Sequence, residues 1–325
     1  MYELKYPLFD GENVRDGAVV TVENGIITSV RECNPSECGE GFLMPGLIDA
    51  HTHMRTADHV EVMLKHGITT VCDVSTSREL TKSSEQLKIV SSAGMAVGVV
   101  MNPKSYVEKA AANGAEYIKV LLFNPLSVGK PALRGIVKAA HEKGLKVAVH
   151  ATEIATVRQA VEANADILLH VPMKEVFSEE SAKAIAEKGI AIAPTLVMME
   201  AFTRSGRGGY TPEDYKNAET NVNLLHRCGV QILAATDANP GSFAPAVGYG
   251  DTLHHEMELL NRAGLTPIEA LTAATGKSAD AFGIKAGRIA PGLPATMLLA
   301  DGRPDREITC TAKIRKIWVK GEPIL

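Results

Sequence analysis

Eight short apolar runs, rich in β-branched residues, alternate along the middle of the chain with amphipathic stretches that often end in glycine. Such runs predict buried parallel strands, and the stretches between them predict helices packed over a sheet. Eight strands, each followed by a helix, is the composition of an α/β fold of the (β/α)8 TIM-barrel type. The predicted strands lie near residues 45–51, 69–74, 95–100, 117–122, 146–151, 166–171, 190–196 and 231–238.

The two ends of the chain differ from this alternating middle. Residues 1–45 consist of short β-like pieces separated by turn signals, among them Asn24-Gly25, and Asn-Gly is typical of a tight β-hairpin. Residues 285–325 have the same character. Because strand-rich ends flank a different middle, we predict a small β-sandwich domain formed by both ends and a barrel domain over residues 46–284.

Two connecting stretches of the middle carry specific expectations. Residues 81–94, TKSSEQLKIVSSAG, are amphipathic and end in glycine, which predicts a helix before the third strand. Residues 198–215, MMEAFTRSGRGGYTPEDY, contain several glycines and arginines and predict a long loop after the seventh strand, although TPEDYKNAETNVNLLHRCG, which begins at residue 211, also has a helical pattern. That loop is either a candidate lid for an active site or a mobile surface segment.

Composition excludes several classes of function. The chain has 325 residues and a formal net charge of -4, without a Lys/Arg-rich run, which argues against a nucleic-acid partner or an anionic membrane surface. No apolar stretch reaches the roughly 18 to 20 residues that span a bilayer, and the N-terminus lacks the layout of a signal peptide. Its 5 cysteines form no CxxC pair and favour reduced thiols. We therefore expect a cytoplasmic protein.

Polar side chains mark the carboxyl ends of five of the predicted strands, where barrels of this type carry their active sites. The first strand ends in His51-Thr52-His53, and side chains at i and i+2 of a strand project to the same face, as two imidazoles that grip one metal ion must. Thr52 should point away from the metal, so we expect its polarity to matter little. The candidate metal ligands are His51, His53, Lys119, His150, His170 and Asp237.

Lys119 lies within an apolar strand, EYIKVLL. A buried lysine is costly unless it is paired, and both burial and nearby metal ions favour its neutral form. A neutral amine can react with carbon dioxide to give a carbamate, whose two oxygens can bridge two metal ions. The alternative is a lysine that pairs with a neighbouring carboxylate or points outward.

The order HxH, Lys, His, His, Asp on strands one, four, five, six and eight resembles the amidohydrolase superfamily. Flanking phrases also match, among them MPGLIDAHTH, NGAEYIKV, LLHVP and LAATDA. The chain is most similar to the subgroup of imidazolonepropionases and the dipeptidases that cleave Xaa-Pro or Xaa-Arg bonds. It departs from that pattern in its closing phrase, PATMLLADG, and in being shorter than most members.

The resemblance implies two metal ions, with zinc as the expected ion and manganese, iron or cobalt as alternatives. His51, His53 and Asp237 would bind the more buried ion, and a carboxylated Lys119 would bridge it to a second ion held by His150 and His170. A hydroxide shared by the two ions would attack the carbonyl carbon of a small amide, and Asp237 would carry its proton to the leaving nitrogen. A small-molecule substrate is thus expected, and a homo-oligomer is compatible with an enzyme of this size.

Three further residues bear on the substrate. Arg55 extends the triplet to HxHxR and is either a ligand for a substrate carboxylate, as in dihydroorotase-like members, or a surface arginine. Thr195, at the end of the seventh strand, is a candidate substrate contact. Glu153 forms His-x-x-Glu with His150 and is either the proton carrier of a mononuclear deaminase or an acidic residue at a helix start.

His254 and His255 are candidates for a layer behind the metal ligands.

The leading hypothesis is a metal-dependent amidohydrolase that acts on a dipeptide, an N-acyl amino acid or a cyclic amide. One alternative is a mononuclear heterocycle deaminase that uses Glu153. Another is an esterase, lactonase or phosphotriesterase on the same two-metal site. Serine hydrolysis lacks support because no GxSxG motif occurs.

Overall fold

Strands from the middle of the chain pair in parallel, whereas strands from its two ends pair with one another. The computed structural model describes residues 1–74, 80, 84–242 and 244–325. The strands are β1 (Tyr2–Phe9), β2 (Val14–Glu23), β3 (Ile26–Glu32), β4 (Phe42–Pro45), β5 (Leu47–Thr52), β6 (Ile68–Asp73), β7 (Lys88–Ser91), β8 (Met95–Ala96), β9 (Tyr117–Leu122), β10 (Lys146–Ala151), β11 (Ile167–Leu169), β12 (Ala191–Ala193), β13 (Met297–Ala300), β14 (Ile314–Val319) and β15 (Glu322–Pro323). The α-helices of the described residues are α1 (Ala57–Lys65), α2 (Pro103–Ala112), α3 (Lys130–Glu142), α4 (Ile154–Glu162), α5 (Glu179–Glu187), α6 (Leu196–Ser205), α7 (Pro212–Arg227), α8 (Asp251–Arg262), α9 (Pro267–Ala273) and α10 (Gly276–Phe282).

The middle of the chain forms two parallel sheets, one in the order β12-β11-β10-β9-β8 and one in the order β5-β6-β7. Isolated bridges from Ile192 to Ile232 and from Thr52 to Ala238 join the eighth predicted segment to the end strand of each sheet. This arrangement is mixed α/β and TIM-barrel-like, as predicted. Within the described residues the strands do not close into one continuous barrel sheet, in part because Ala93 and Gly94, with φ of 51° and 125°, interrupt the third strand.

The helix predicted over residues 81–94 is wrong for residues 88–91, which form a strand. Lys88–Ser91 form β7, which pairs with β6 in parallel, and the predicted third strand is reduced to Met95–Ala96 at its start. Ile89 and Val90 are buried in two different apolar clusters, as neighbours on a strand covered on both faces are. A short apolar run fits helix and strand periods alike, and the pairing with β6 decided the outcome. Residues 81–83 lie outside the described part of the chain.

The predicted long loop over residues 198–215 is wrong up to Ser205, which is helical, whereas the helical pattern predicted from residue 211 is confirmed. Helix α6 extends to Ser205, and α7 begins at Pro212. Thr211 and Asp214 form a reciprocal capping box at the start of α7, with the Thr211 N–H donating to Asp214 Oδ2 at 2.7 Å. The sequence carried this signal in Thr-Pro-Glu-Asp, followed by a helical pattern.

Strands from both ends of the chain form one seven-stranded sheet in the order β15-β14-β13-β4-β1-β2-β3. The hairpin at Asn24-Gly25 is confirmed, since both residues have positive φ, 49° and 78°, and join β2 to β3. The structure gives a single sheet here, so the predicted sandwich is not confirmed. The division into a 46–284 barrel unit and a composite unit stays a prediction.

Where this sheet meets the first parallel strand, the backbone of Gly46 passes close to the Thr69 side chain. Gly46 separates β4 from β5, and a Cβ atom there would lie 2.1 Å from Thr69 Oγ1. Glycine is therefore required for β5 to begin directly beside β6.

Small side chains fill the interior between the parallel strands, below the candidate site. The buried cluster is closed by Phe282, whose ring meets that of Tyr117 edge-on at 5.1 Å. Its members are Ala50, Cys72, Val90, Tyr117, Ala148, Ile167, Leu169, Ala191, Ala193, Leu233, Ala235 and Phe282. The strands thus enclose a packed core, and polar side chains occur at its carboxyl end. In the described residues, no helix combines the length and apolarity needed to cross a bilayer.

Candidate metal centre

The structure brings the predicted ligands to one place at the carboxyl ends of the parallel strands. His51 and Lys119 lie within β5 and β9, His150 lies in β10, and His170 follows β11. Asp237 lies in the eighth predicted segment, and its backbone N–H donates to His51 O at 2.8 Å. All these side chains belong to different strands, so their proximity is produced by the parallel arrangement.

The Asp237 carboxylate is the centre of the first group. Its Oδ1 lies 3.4 Å from His51 Nε2 and 3.1 Å from His53 Nε2. The candidate ligand atoms of His51, His170 and Asp237 lie within 4.8 Å of one another. Two imidazoles and a carboxylate at this spacing could bind one metal ion.

His150 extends the group on the other side. Its ring centroid lies 4.4 Å from that of His170, which in turn lies 5.4 Å from that of His51. His51 Nδ1 and His150 Nε2 are buried, and neither has a hydrogen-bond partner among the described residues. Buried nitrogen atoms normally have hydrogen-bond partners, so these unpaired atoms are consistent with a site that binds a non-protein group such as a metal ion.

The ionisation of the imidazoles suits a metal ion. Burial lowers the pKa of His150 to about 3, with the Lys119 charge acting in the same direction. Burial also lowers the pKa of His51 and of His170 well below the usual value. Neutral imidazoles keep a lone pair for coordination, and imidazole with carboxylate is a ligand set suited to zinc and related divalent ions. The residues therefore fit the group that the sequence pattern implies.

Lys119 points into this cluster. It is 2 % exposed, and its Nζ lies 3.5 Å from His51 Nε2. Burial lowers the pKa of Lys119 to about 7, opposed by the charge of Asp237. Among the described residues the amine has no carboxylate within ion-pair distance, so neither alternative for Lys119, an ion pair or an outward-pointing side chain, is observed.

Three residues at the strand ends have left-handed backbone conformations. His170, Thr195 and Asp237 have φ of 72°, 54° and 56°. Such conformations are uncommon for residues other than glycine, and they concentrate at functional sites. They turn the chain sharply just where it leaves the sheet, which aims the three side chains at the cluster.

Two buried aspartates that the sequence analysis missed brace the ligand-bearing segments. Asp49 accepts hydrogen bonds from Thr236 N at 3.0 Å, from Thr236 Oγ1 at 2.6 Å and from His51 N at 3.2 Å. Burial raises the pKa of Asp49 to about 7. It ties the first strand to the residue before Asp237. The available signal was a carboxylate inside an apolar run, two residues before the first histidine.

The second bracing residue is Asp73, at the end of β6. Its Oδ2 accepts from Thr52 Oγ1 at 2.8 Å and from Met54 N at 2.6 Å. The expectation that Thr52 polarity matters little is therefore wrong. Thr52 does alternate away from the two histidines, but it meets a buried carboxylate there.

Removing the Thr52 hydroxyl is expected to destabilise the protein. Thr52→Val keeps the shape of the side chain and takes one donor from a buried carboxylate, which costs about 1–3 kcal/mol of unfolding free energy. Thr52→Ser retains the donor and is expected to lose less. Urea unfolding of the metal-free proteins, followed by circular dichroism, measures both. Equal losses in the two variants would assign the effect to packing.

The predicted substrate residues lie in different surroundings. Arg55 is exposed beyond the first strand, and its N–H donates to His59 Nδ1 at 3.1 Å. Thr195 is fully buried, and its hydroxyl contacts His170 Nδ1 at 2.8 Å. Glu153 is exposed at the N-cap of α4, where its N–H donates to Thr156 Oγ1 at 3.2 Å. Their substrate and proton-carrying roles stay predictions.

The paired histidines of α8 have partners outside the cluster. His254 bonds to Thr311 Oγ1 and to His66 O, both at 3.0 Å, and His255 bonds to Glu200 at 3.0 Å. His254 thus joins α8 to the C-terminal segment and to the end of α1. None of these bonds reaches a predicted metal ligand, so a place for either ring behind the ligands stays a prediction.

Two aromatic side chains at the rim were not anticipated. Phe123, directly after β9, is 53 % exposed, and its ring meets that of His150 edge-on at 6.0 Å. Tyr249 donates its hydroxyl to His53 O at 2.7 Å and stacks on His59. Phe123 gives the mouth of the cluster an apolar wall.

Residues 42–324 match the model of the amidohydrolase family. The chain belongs to this family. The predicted family is therefore confirmed, and the amidohydrolase match covers both the parallel strands and the C-terminal segment.

Curated relatives of this amidohydrolase include ochratoxinase from Aspergillus niger, 27% identical over 58% of this chain and 40% of the relative. An imidazolonepropionase from Idiomarina loihiensis is 24% identical over 86% of this chain and 83% of the relative. The match to ochratoxinase thus spans well under half of that protein's length. The imidazolonepropionase belongs to the subgroup that the sequence motifs resemble.

Solved structures share the fold at low sequence identity. A Xaa-Pro dipeptidase with bound methionine superposes with a TM-score of 0.82, 20% identity, and coverage of 99% of this chain and 98% of the other. A. niger ochratoxinase superposes with a TM-score of 0.81, 18% identity, and coverage of 99% and 95%. Both likenesses concern architecture, and they support the TIM-barrel-like arrangement.

Proposed function

We propose that this amidohydrolase hydrolyses a C–N amide bond of a small substrate with the help of bound metal. The observation that carries the proposal is the convergence of His51, His170 and Asp237 from three separate strand ends. Family membership supports metal dependence and a small-molecule substrate. Neutral buried imidazoles beside a carboxylate supply the donors that such chemistry uses.

The metal would be held by the six residues named from the sequence, with zinc at two positions and a carboxylated Lys119 between them. When bound, divalent metal polarises a carbonyl and lowers the pKa of water. Asp237 is the group that we expect to accept a proton from the attacking water and to deliver it to the leaving nitrogen, because its carboxylate lies at the centre of the cluster. His51 and His170, both buried, would hold the metal away from bulk water.

The substrate class follows from the rim. The apolar Phe123 ring beside His150 favours a substrate with an apolar side chain near the scissile bond. Arg55, at the outer end of the first strand, is a candidate partner for a substrate carboxylate. Dipeptides, N-acyl amino acids and cyclic amides satisfy one or both conditions, and the similarity to an imidazolonepropionase and to a Xaa-Pro dipeptidase structure supports this range.

No observation favours Glu153 as the proton carrier of a deaminase. The residue is exposed and begins helix α4, as a helix-start residue would. Ester, lactone or phosphotriester hydrolysis would use the same cluster. Comparing the rates on these substrates with the rates on amides distinguishes these activities from amide hydrolysis.

Zinc-loaded protein is expected to hydrolyse members of a panel of dipeptides, N-acyl amino acids and cyclic amides, and to prefer apolar over acidic side chains. Chelation is expected to abolish the activity, and added zinc to restore it. Amine release by chromatography is the measurement, with matched esters, a phosphotriester and an aminoheterocycle in the same panel. Turnover confined to those last compounds, or unaffected by chelation, would refute the proposal.

A further inference from the structure

The hydrogen bonds of His170 determine which of its nitrogen atoms carries the proton. His170 Nδ1 lies 2.8 Å from Thr195 Oγ1, and the Thr195 hydroxyl lies 2.7 Å from Pro194 O. A carbonyl oxygen can only accept, so the single hydroxyl proton belongs to the bond with Pro194. Thr195 Oγ1 must then accept from His170 Nδ1–H. A neutral ring with its proton on Nδ1 has a free lone pair on Nε2.

The orientation of Thr195 depends in turn on a buried carboxylate from another helix. Thr195 has a left-handed backbone, with φ of 54° and ψ of 49°, and helix α6 begins at the next residue. The first N–H groups of a helix have no partner within it. Glu256 of α8, fully buried, accepts from Leu196 N at 3.0 Å and from Val197 N at 2.8 Å, one on each carboxylate oxygen.

The two sets of contacts form a continuous connection. Glu256 fixes the first turn of α6, the start of α6 fixes the backbone of Thr195, and the Thr195 hydroxyl fixes the ring of His170. Both oxygens of Glu256 are used as acceptors, so an amide in its place would set an N–H group against a backbone N–H. The site therefore requires a carboxyl group rather than any polar side chain of similar size.

We propose that Thr195 and Glu256 are positioning residues that hold His170 with Nε2 unprotonated and aimed at the metal. This inference rests on one part of the proposed function, namely that His170 binds metal, and is independent of which bond the enzyme cleaves. It assigns Thr195 a role different from direct contact with substrate. Partners that orient a metal-binding histidine commonly affect metal affinity by about 10–100-fold.

The first test reads the tautomer directly in the metal-free wild-type protein. Long-range nitrogen–proton correlation spectra of 15N-histidine-labelled protein, with the His170 signals assigned through His170→Gln, are expected to show the Nδ1–H form. In Thr195→Val that preference is expected to weaken or reverse. Valine is β-branched and close in shape to threonine, so the substitution removes the hydroxyl with little change in the shape of the side chain. An Nε2–H ring in the wild-type protein would overturn the proposal.

The second test measures zinc affinity by competition with a chromophoric chelator. Thr195→Val is expected to weaken one zinc site by about 10–100-fold, Glu256→Gln to weaken the same site, and Thr195→Ser to stay near the wild type. Thr203→Val, on the same helix with a hydroxyl bonded to Glu200 O, is the matched control. Wild-type affinity in Thr195→Val would refute the role.

These readouts separate the inference from the proposed function. Should the enzyme fail to cleave any amide, the tautomer and the zinc affinities still decide the role of Thr195 and Glu256. Should Thr195→Val fail to fold, the wild-type spectrum and Glu256→Gln still do so. Amide hydrolysis with unchanged zinc binding in the folded variants would leave the function intact and remove the positioning role.

Discussion

Asp237→Asn is expected to lower kcat/KM for amide hydrolysis by about 10²- to 10⁴-fold, the usual contribution of a positioned proton-transfer group. The substitution preserves the size of the side chain, and asparagine tolerates the left-handed backbone at this position, where φ is 56°. The carboxylate charge that faces His51 and His53 is lost. Steady-state kinetics of zinc-loaded protein, together with metal analysis, measures the effect.

The control for this variant is Asp301→Asn. Asp301 forms an ion pair with Arg315 on the surface, with 58% of its side chain exposed. Exposed pairs contribute little, so kinetics and stability are expected to match the wild type. If Asp237→Asn retained both activity and metal, the proton-carrying role of Asp237 would be excluded. Lost activity with full metal content would assign the residue to proton transfer rather than to coordination.

Much of the site could be predicted because strand ends are visible in a sequence. His51, His150 and His170 each follow an apolar run, and the parallel arrangement brings such ends together whatever the details of the loops. Lys119 was identified for a related reason, since a lysine is rarely buried in an apolar strand unless its charge is paired or lost. These predictions needed only the strand pattern.

Other features of the site depend on tertiary contacts that no local pattern contains. Asp49 carried a signal only as a carboxylate inside an apolar run and Asp73 lies at a strand end, and only the fold shows that their donors come from the segments carrying the ligands. The left-handed backbone conformations of His170 and Thr195 belong to the folded chain where it leaves the sheet, and the residue types do not indicate them. Glu256 carried a weak signal, since it lies on the buried face of α8 with Leu253, Met257 and Leu260.

The fold was predicted less well where the spacing of apolar residues fits both a helix and a strand. The apolar residues of Lys88–Ser91 suit a helix face and a strand equally, and the partner strand β6 is distant in sequence. The stretch after Thr195 was taken for a loop because of its glycines, although those glycines only separate two helices. For the strand the missing information was its partner β6, whereas for the second helix the capping signal Thr-Pro-Glu-Asp was present in the sequence.

Lys119→Ala is expected to remove one metal equivalent per chain and to lower kcat/KM by about 10²-fold or more, since metal at the reacting carbonyl supplies several kcal/mol. The buried amine points at His51 and, among the described residues, has no carboxylate partner within ion-pair distance. The proposed carboxylation would account for that placement, because a carbamate would turn a lone buried amine into an anionic ligand. Inductively coupled plasma mass spectrometry and 13C spectra of protein prepared in labelled bicarbonate measure both consequences.

The space left by the lysine side chain provides a sharper test of the same idea. A short carboxylate such as acetate or propionate, added to Lys119→Ala, is expected to restore part of the metal content and part of the activity, because it supplies the two bridging oxygens. Lys146→Ala is the matched control: that lysine begins the neighbouring strand, and its half-exposed amine bonds to Asp166 at 3.0 Å. Unchanged metal content and rate in Lys119→Ala would refute the bridging role. Lost activity without carboxylate rescue or a labelled carbamate signal would leave Lys119 as an electrostatic group and favour a single metal ion held by His51, His170 and Asp237.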